Sequence, residues 1–396
     1  MAFEDFEFGN KPNSIGRQLL RSGVTRRQFL EFCLKLMVVA PAGLSFTGKV
    51  HAAEVAKAVA RARRPSVIWL HMQDCTGCTE SLLRTSTPDL GELILDLISL
   101  DYHETLMAAA GHDAEAALEA AMKENFGKYV LVVEGSIPRK DDGVYLKVAG
   151  RTGLDLLADT AKGAAAIVAI GSCASWGGIP SSGPNPTDAV GVRALVTDKP
   201  VVNLPGCPPN PYILLATVLE YAVAGTLPAL DELARPLFAY DRVIHEHCPR
   251  RAHFDAGEFV LAFGDEGHRK GWCLFPMGCK GPVTHASCST RHFNEVPDCW
   301  PIGIGAPCYG CTEQSVAFKA PLFDTVKPHD IVPPATYAPV FTPQGSASKV
   351  GIALGGAVVG AVLGGGFVAS RKIGAAAEAA PPESGPGRRP GAPGKE

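Results

Sequence analysis

The sequence has little net charge and no concentrated run of basic residues. Its 37 lysines and arginines nearly balance 40 acidic residues, which leaves a formal net charge of −3. The basic residues are spread along the chain, so the sequence predicts no nucleic-acid partner. With 396 residues and 46% hydrophobic content, the chain can nevertheless bury a full core and is long enough for two domains.

Aliphatic runs are scarce between residues 241 and 320, where glycine, proline and cysteine are frequent instead. Such a segment has too little apolar surface for an ordinary core, so bound metal would have to act as that core. Seven of the twelve cysteines of the chain lie between residues 245 and 311. If Cys33 leaves with a signal peptide, an odd number remains, which favours metal ligation over disulfide pairing.

The amino terminus predicts export from the cytoplasm. The pair Arg26-Arg27 precedes Phe29 and is followed by a moderately apolar run and by the small residues Ala52 and Ala53. A basic segment with two adjacent arginines, followed by an apolar segment and then by small residues, is typical of a twin-arginine signal peptide. We therefore assign residues 1–53 to a signal peptide.

The carboxyl terminus predicts a membrane anchor. Residues 350–370 carry no charge and are flanked by Lys349 and Arg371, and a stretch of this length can span a bilayer. A flexible glycine-rich linker is the alternative, because glycine weakens helix propensity. Residues 321–349 are then a linker, and residues 371–396 a disordered cytoplasmic tail rich in proline, glycine and alanine.

Residues 54–240 alternate between short apolar segments and segments of helical composition. The segments predicted as strands are 66–71, 128–135, 165–173 and 200–204, and those predicted as helices include 152–162 and 212–224. Continuously apolar strands that alternate with helices indicate an α/β fold with a parallel sheet covered on both faces. Functional sites in such sheets form at the carboxyl ends of the strands.

Cysteines follow three of these predicted strands. Cys75 and Cys78 come after the first strand, Cys173 ends a later one, and Cys207 follows the last. Because the carboxyl ends of parallel strands lie along one edge, we expect the four thiols to meet there. Four thiolates suit a [4Fe–4S] cluster, whereas structural zinc usually takes two Cys-x-x-Cys pairs and this set contains only one.

A second candidate set begins with a histidine-rich segment, in which His245 and His247 precede Cys248, and continues with Cys273 and Cys279. Three cysteines and one histidine can hold a [4Fe–4S] cluster. The spacing alone leaves open whether His245 or His247 is the fourth ligand.

A third candidate set consists of Cys288, Cys308 and Cys311, and Pro301 stands where a fourth ligand would otherwise fall. Proline has no side-chain ligand, so this set favours a [3Fe–4S] cluster. Cys299 lies in the same region and keeps a four-iron alternative open.

Five short motifs occur in a fixed order along the chain: Cys75-Thr76-Gly77-Cys78, Gly171-Ser172-Cys173, Pro205-Gly206-Cys207, His245-Glu246-His247-Cys248 and Cys308-Tyr309-Gly310-Cys311. Together they resemble the small subunit of membrane-bound, uptake-type [NiFe] hydrogenases. The resemblance runs from the arginine pair to the trailing apolar segment, which is nearly the whole chain.

The resemblance implies a flavodoxin-like domain over 54–240 and a small irregular iron–sulfur domain over 241–320. It further implies two [4Fe–4S] clusters and one [3Fe–4S] cluster. Their ligands would be Cys75, Cys78, Cys173 and Cys207 at a proximal [4Fe–4S] site, His245, Cys248, Cys273 and Cys279 at a distal [4Fe–4S] site, and Cys288, Cys308 and Cys311 at a medial [3Fe–4S] site. The chain would contain no catalytic residue of its own, because the nickel–iron centre of this family belongs to a separate large subunit.

The resemblance also implies partners and a location. The chain would pass electrons from H2 oxidation in the large subunit to a membrane cytochrome b or to another iron–sulfur or quinone-reducing partner. The complex, a multimer of heterodimers, would be anchored at the periplasmic side of the cell membrane. Oxygen-tolerant members carry two extra cysteines near the proximal cluster, where this sequence has Gly77 and Gly178, so it resembles the standard oxygen-sensitive subtype.

Two other functions are compatible with the same residues. An exported, membrane-anchored polyferredoxin-like carrier would hold the clusters but have no large nickel-containing partner. A disulfide-stapled binding protein would contain neither iron nor sulfide, so analysis of these elements distinguishes it from the first two interpretations.

Overall fold

The computed structural model describes residues 62–85, 97–293 and 296–327 of the chain. The predicted signal peptide (1–53), transmembrane helix (350–370) and tail (371–396) lie outside the described residues, as does most of the predicted linker (321–349). No helix within the described ranges is both long and apolar enough to cross a membrane.

A parallel sheet forms the centre of the first part of the described chain. The strands, in chain order, are β1 (Ser66–His71), β2 (Ser99–His103), β3 (Tyr129–Glu134), β4 (Ile137–Pro138), β5 (Lys147–Val148), β6 (Arg151–Thr152), β7 (Ala164–Ile170), β8 (Ala189–Val190) and β9 (Val201–Leu204). Five of them form the sheet in the order β2-β1-β3-β7-β9, and all neighbours in it are parallel. Numbered among themselves, these strands run 2-1-3-4-5, the order of flavodoxin-like folds. The predicted α/β fold with a parallel sheet is confirmed.

Helices connect the strands, and further short helices follow the last strand. They are α1 (Gly77–Leu83), α2 (His112–Glu124), α3 (Gly153–Gly163), α4 (Gly171–Trp176), α5 (Pro211–Ala224), α6 (Leu237–Tyr240), α7 (Arg251–Asp255) and α8 (Glu266–Arg269). The predicted helices over 152–162 and 212–224 match α3 and α5 to within one residue at each end.

The strands are continuously apolar because helices cover both faces of the sheet. Val67 and Trp69 on one face pack with residues of α1 and α5. Ile68 and Leu70 on the other face pack with residues of α2 and α3. Successive side chains of a strand point to opposite faces, so each face receives alternate apolar residues and neither needs polar ones.

One predicted strand ends earlier than expected. The sequence predicts a strand that reaches Cys173, but β7 ends at Ile170 and Cys173 lies in α4. Gly171 causes the break, since its φ of +82° lies outside the β region that a strand requires. As a result, Cys173 lies in the turn beyond the sheet edge rather than within the sheet.

The described residues after Tyr240 form short helices and turns rather than a further sheet. Two isolated backbone bridges occur there, Val243 with His285 and Phe259 with Cys273. The apolar cluster of this part contains three of the predicted ligand cysteines among its buried members: Ile244, Cys248, Val260, Leu274, Cys279, Ala286, Trp300, Ile302 and Cys308. Cysteine therefore supplies much of the interior that aliphatic residues supply elsewhere.

Helix α5 carries a buried carboxyl group that predicts a pH-dependent stability. Glu220 is 4% exposed, and its Oε2 has no hydrogen-bond partner among the described residues. Burial raises the pKa of Glu220 from 4.5 to about 7. Because this folded-state pKa lies above the unfolded value, protonation stabilises the fold, and the stability falls as pH rises from about 4.5 through 7.

We therefore expect Glu220→Gln to stabilise the protein at pH 8 by roughly 1–3 kcal/mol and to change little at pH 5. Thermal unfolding of the purified protein at both pH values measures this difference. Glu119→Gln, at an exposed position of α2, is the matched control and should show no such pH dependence. An equal effect of Glu220→Gln at pH 5 and pH 8 would contradict the prediction.

Candidate metal centres

The first predicted ligand set lies at the carboxyl edge of the sheet. Cys75 and Cys78 follow β1, Cys173 follows β7, and Cys207 follows β9. Burial raises the pKa of the Cys78 thiol well above its usual range, and the charges of Glu134, Cys173, Cys207 and Cys75 add to this shift. Direct contacts bring the three strand ends together: Cys78 Sγ lies 3.9 Å from the carbonyl of Ile170 at the end of β7, and Ser172 N donates to the carbonyl of Gly206 at 3.0 Å.

Glycines leave room directly beside these thiols. A Cβ atom at Gly178 would lie 2.5 Å from Cys173 Sγ, and one at Gly171 would lie 2.5 Å from Cys78 Sγ. At Gly77 the corresponding distance to Cys75 Sγ is 3.1 Å. Any side chain at Gly171 or Gly178 would therefore occupy space next to a thiol, and backbone without side chains allows inorganic sulfide to approach closely.

The four thiols differ in exposure. Cys75 is exposed, whereas Cys78, Cys173 and Cys207 are partly buried. Burial raises the pKa of Cys173 to about 11 and also raises the pKa of Cys207, which a hydrogen bond from Tyr309 partly offsets. Thiols of this kind need a cationic metal core to become thiolates.

Glu134 fixes the loop that carries Cys75 and Cys78. Its side chain is 1% exposed, and its oxygens accept hydrogen bonds from Cys78 N at 2.9 Å, Thr79 Oγ1 at 2.6 Å and Trp69 Nε1 at 3.2 Å. The start of α1 is thereby tied to the end of β3. Glu134 therefore binds the amino terminus of α1.

A polar cluster adjoins this loop. His71 Nδ1 lies 2.5 Å from Asp74 Oδ2 and 3.9 Å from Glu134 Oε2. Within the described ranges, these three residues form the one set of three histidine, cysteine or carboxylate ligand atoms that lie within 4.8 Å of one another. Since Glu134 already accepts several hydrogen bonds, we interpret the cluster as a hydrogen-bonded support for the loop.

The second predicted set surrounds a small, partly open cavity. His245, Cys248, Cys273 and Cys279 all line it. Burial raises the pKa of Cys248 to about 12 and that of Cys273 to about 11. Burial lowers the pKa of His245 to about 4, so its imidazole is neutral at physiological pH and its ring nitrogens can act as ligands.

The structure places the two candidate histidines, His245 and His247, in different surroundings. His245 lines the cavity, and its ring packs edge-on against Phe254 with centroids 4.6 Å apart. His247 instead lies near the surface, where its Nε2 is 3.2 Å from Arg242. The geometry therefore favours His245 as the fourth member of this set.

The third predicted set surrounds a second small, partly open cavity, which Cys288, Cys308 and Cys311 line together with Pro301. Burial raises the pKa values of Cys288 and Cys311 to about 12. Cys299 is not among the residues that the structure places around this cavity, although its neighbours Trp300 and Pro301 are.

Direct contacts link the three sets. Cys207 of the first set also lines the cavity of the third, and Tyr309 Oη donates a hydrogen bond to the carbonyl of Cys207 at 3.2 Å. The backbone N–H of Lys280, next to Cys279, donates to the carbonyl of Cys308 at 2.7 Å. The third set therefore lies between the first and the second.

Sequence reasoning missed two residues at these sites. Tyr309 is evident in the sequence only as part of a Cys-x-x-Cys loop, and Lys280 belongs to none of the predicted sets. Both stand next to predicted ligands, which is the one signal that could have identified them.

Two protein families match consecutive parts of the chain. The family described as NADH ubiquinone oxidoreductase, 20 Kd subunit, matches residues 75–221. The family of the C-terminal part of the NiFe/NiFeSe hydrogenase small subunit matches residues 240–324. The two matches adjoin near the boundary between the sheet and the cysteine-rich part.

Individual relatives match over most of the chain. The Hydrogenase-2 small chain of Escherichia coli K12 is 48% identical over 353 residues, which cover 89% of this chain and 94% of that one. The quinone-reactive Ni/Fe-hydrogenase small chain of Wolinella succinogenes is 45% identical over 85% of this chain and 93% of that one. The structure of the [NiFeSe] hydrogenase from Desulfovibrio vulgaris Hildenborough matches with a TM-score of 0.58 and 35% identity, covering 64% of this chain and 94% of that one.

Proposed function

Because this chain belongs to the family of [NiFe] hydrogenase small subunits, we propose that it carries electrons between the large subunit and an acceptor through three iron–sulfur sites. Hydrogenase small subunits work together with a large nickel–iron subunit. The observation that carries the proposal is the arrangement of the eleven ligand residues into three neighbouring sets, with Cys207 bordering two of them.

The donor groups fit iron–sulfur clusters better than single zinc ions. Around tetrahedral zinc, a Zn–S distance of about 2.3 Å places the sulfurs roughly 3.8 Å apart. Among the described residues, no three ligand atoms that include a cysteine come within 4.8 Å of one another. This wider spacing and the glycines beside the thiols support sites that hold larger inorganic cores.

We assign the ligands of each site as follows. The proximal [4Fe–4S] site takes Cys75, Cys78, Cys173 and Cys207, the medial [3Fe–4S] site takes Cys288, Cys308 and Cys311, and the distal [4Fe–4S] site takes His245, Cys248, Cys273 and Cys279. When bound, such clusters supply one-electron redox centres whose potentials depend on net charge, hydrogen bonding and exposure. The residues of this chain bury the medial site, tie it to Cys207 through Tyr309, and keep His245 neutral.

The exposed thiol of Cys75 marks the side at which we place the large subunit. A metal ligand at the protein surface is open to solvent unless a partner covers it, and the nickel–iron subunit is the partner of this family. At the opposite end of the three sites, His245 of the distal site marks where electrons leave toward the acceptor. The relative from Wolinella succinogenes is named quinone-reactive, which supports a quinone-linked acceptor in the membrane.

Export and membrane anchoring remain part of the proposal. The arginine pair Arg26-Arg27 and the uncharged residues 350–370 support a periplasmic subunit with a single carboxyl-terminal anchor. Fractionation of cells that produce the whole chain tests this, because loss of residues 350–396 should release the complex from the membrane.

Co-production with the large subunit tests the function itself. We expect H2-driven reduction of a quinone analogue by the purified complex and none by either subunit alone. A small subunit that purifies with its iron and sulfide but never with a large nickel-containing chain would favour the polyferredoxin-like carrier instead.

The medial assignment makes a separate prediction about Pro301. Replacing Pro301 by cysteine would add a fourth thiol to the cavity that Cys288, Cys308 and Cys311 line. We expect the oxidised protein to lose its [3Fe–4S] electron paramagnetic resonance signal and to gain about one iron atom, as a [4Fe–4S] cluster forms.

Cys299→Ser is the control for this substitution and should leave the [3Fe–4S] signal unchanged. If Cys299→Ser abolishes the signal while Pro301→Cys leaves it intact, the medial ligand set is wrong and Cys299 belongs to it.

A further inference from the structure

A completely buried lysine lies between the second and third ligand sets. Lys280 is 0% exposed and follows Cys279 directly. Its backbone N–H donates to the carbonyl of Cys308 at 2.7 Å, and its own carbonyl accepts a hydrogen bond from Thr284 Oγ1 at 2.6 Å. The residue is therefore fixed by its backbone to ligands of both sets.

The ammonium group of Lys280 is surrounded by carbonyl oxygens. Nζ lies 2.9 Å from the oxygen of Leu322, 3.0 Å from that of Pro321, 3.2 Å from that of Gly278 and 3.3 Å from that of Asp324. All four are acceptors. A neutral amine would turn its lone pair toward an acceptor, so this environment suits the three donors of the charged form.

No carboxylate in the described ranges lies within 4.0 Å of this ammonium to neutralise it. Cys279 of the distal set precedes Lys280 directly, and Cys308 of the medial set accepts its backbone hydrogen bond at 2.7 Å. Besides Asp324, whose carbonyl contacts Nζ, the ligands of both predicted clusters therefore lie close to the buried charge.

We propose that the buried positive charge of Lys280 raises the reduction potentials of the medial and distal clusters, an inference that rests on the proposed function. Reduction adds negative charge to a cluster, and a nearby fixed cation stabilises the reduced form. Within the protein interior this attraction is screened much less than at the surface. The net charge around a cluster is one of the factors that set its potential.

The lysine also holds residues 321–324 against Gly278, the residue before the predicted distal ligand Cys279. Its hydrogen bonds to Pro321, Leu322 and Asp324 fix this segment. Gly278 packs directly on the backbone of Phe323, where a Cβ atom would overlap it. A structural role of this kind has to be separated from the effect of charge.

Redox titration of the purified complex, followed by electron paramagnetic resonance, makes this separation. The variants are Lys280→Met and Lys280→Gln, which remove the charge, and Lys280→Arg, which keeps it. We expect both neutral variants to shift the medial and distal potentials in the negative direction. Lys280→Arg should stay close to the unmodified protein.

Lys270→Met is the matched control, because Lys270 is an exposed lysine of the same part of the chain that pairs with Glu266 at 2.6 Å. It should not change either potential. Unchanged potentials in an iron-loaded Lys280→Gln variant would overturn the inference. A negative shift in Lys280→Arg would also overturn the inference, because that variant keeps the charge. This second outcome can be measured even if the neutral variants do not assemble.

Iron and sulfide analysis distinguishes failure of this inference from failure of the proposed function. If the unmodified protein lacks iron, the proposed function itself fails. If all variants contain full iron but share one set of potentials, only the role of Lys280 fails.

Discussion

Replacing Cys207 by serine is expected to abolish H2-driven electron transfer by the complex while the sheet still folds. Cys207 follows the edge strand β9, so its substitution leaves the core clusters on both faces of the sheet intact. It belongs to the proximal set and also lines the cavity of the medial set. Loss of this thiol therefore removes a predicted proximal ligand at the point where the two predicted sites meet.

The expected loss of activity exceeds about 100-fold, since mutation of residues that only support metal ligands already costs about 10–100-fold. The measurement is H2-dependent dye reduction by the purified complex, together with its iron content, which should fall by roughly four atoms. Cys299→Ser is the matched control, because the same chemical change at a cysteine outside the three sets should leave activity and iron unchanged. Full iron and full activity in Cys207→Ser would contradict the ligand assignment.

The second large effect is expected on stability, at a buried ion network between the sheet domain and the cysteine-rich part. Arg235 is 4% exposed, and its guanidinium donates to Asp231 Oδ2 at 2.7 Å, to Glu313 Oε1 at 2.9 Å and to the carbonyl of Thr312 at 2.9 Å. Glu313 also accepts hydrogen bonds from the backbone and ring of His285. Although burial alone would raise it, the pKa of Glu313 is lowered by His285 and Arg235.

Arg235→Met should destabilise the protein by about 3–5 kcal/mol, because it leaves two carboxylates without their buried cation. Denaturant unfolding of the purified complex measures this loss. Arg139→Met is the control, since Arg139 and Asp188 are both about half exposed, and an exposed pair contributes at most about 1 kcal/mol.

A double variant separates the charge from the packing in this network. If uncompensated charge causes the loss, Arg235→Met combined with Glu313→Gln should be more stable than the sum of the two single changes predicts. Equal losses for Arg235→Met and Arg139→Met would show that the buried network contributes no more than a surface ion pair.

The sheet domain was predictable from sequence because its signals are local. Runs such as 66–71 are apolar throughout, since both faces of each strand are covered, and each cysteine motif follows such a run directly. The position of Cys173 was predicted less well. Gly171 ends β7 two residues before that cysteine with a positive φ, and it lies against Cys78 from a distant part of the chain, a contact that no local pattern reveals.

The cysteine-rich part was predictable in composition but not in arrangement. Spacing could not choose between His245 and His247, because the choice depends on which of the two lines the cavity in the folded chain. Likewise, the separation of Cys299 from the medial cavity depends on how Trp300 and Pro301 pack. The pairing of Arg235 with Glu313, 78 residues apart in the chain, leaves no trace in local sequence.

Lys280 escapes sequence reasoning for a different reason. Lysine is almost never fully buried unless it is paired, so a lysine next to Cys279 is expected at the surface. The carbonyl groups that accept its hydrogen bonds belong to residues 321–324, more than 40 residues further along the chain. Burial of this kind becomes visible only in the folded structure.

Analysis of iron and acid-labile sulfide in the purified complex tests most directly whether these eleven side chains bind metal clusters. Two [4Fe–4S] clusters and one [3Fe–4S] cluster predict about eleven iron atoms and about twelve sulfides per small subunit, in addition to the iron of the large subunit. A chain free of both elements, with disulfide bonds joining Cys75, Cys78, Cys173 and Cys207, would contradict the assignment of these residues as cluster ligands.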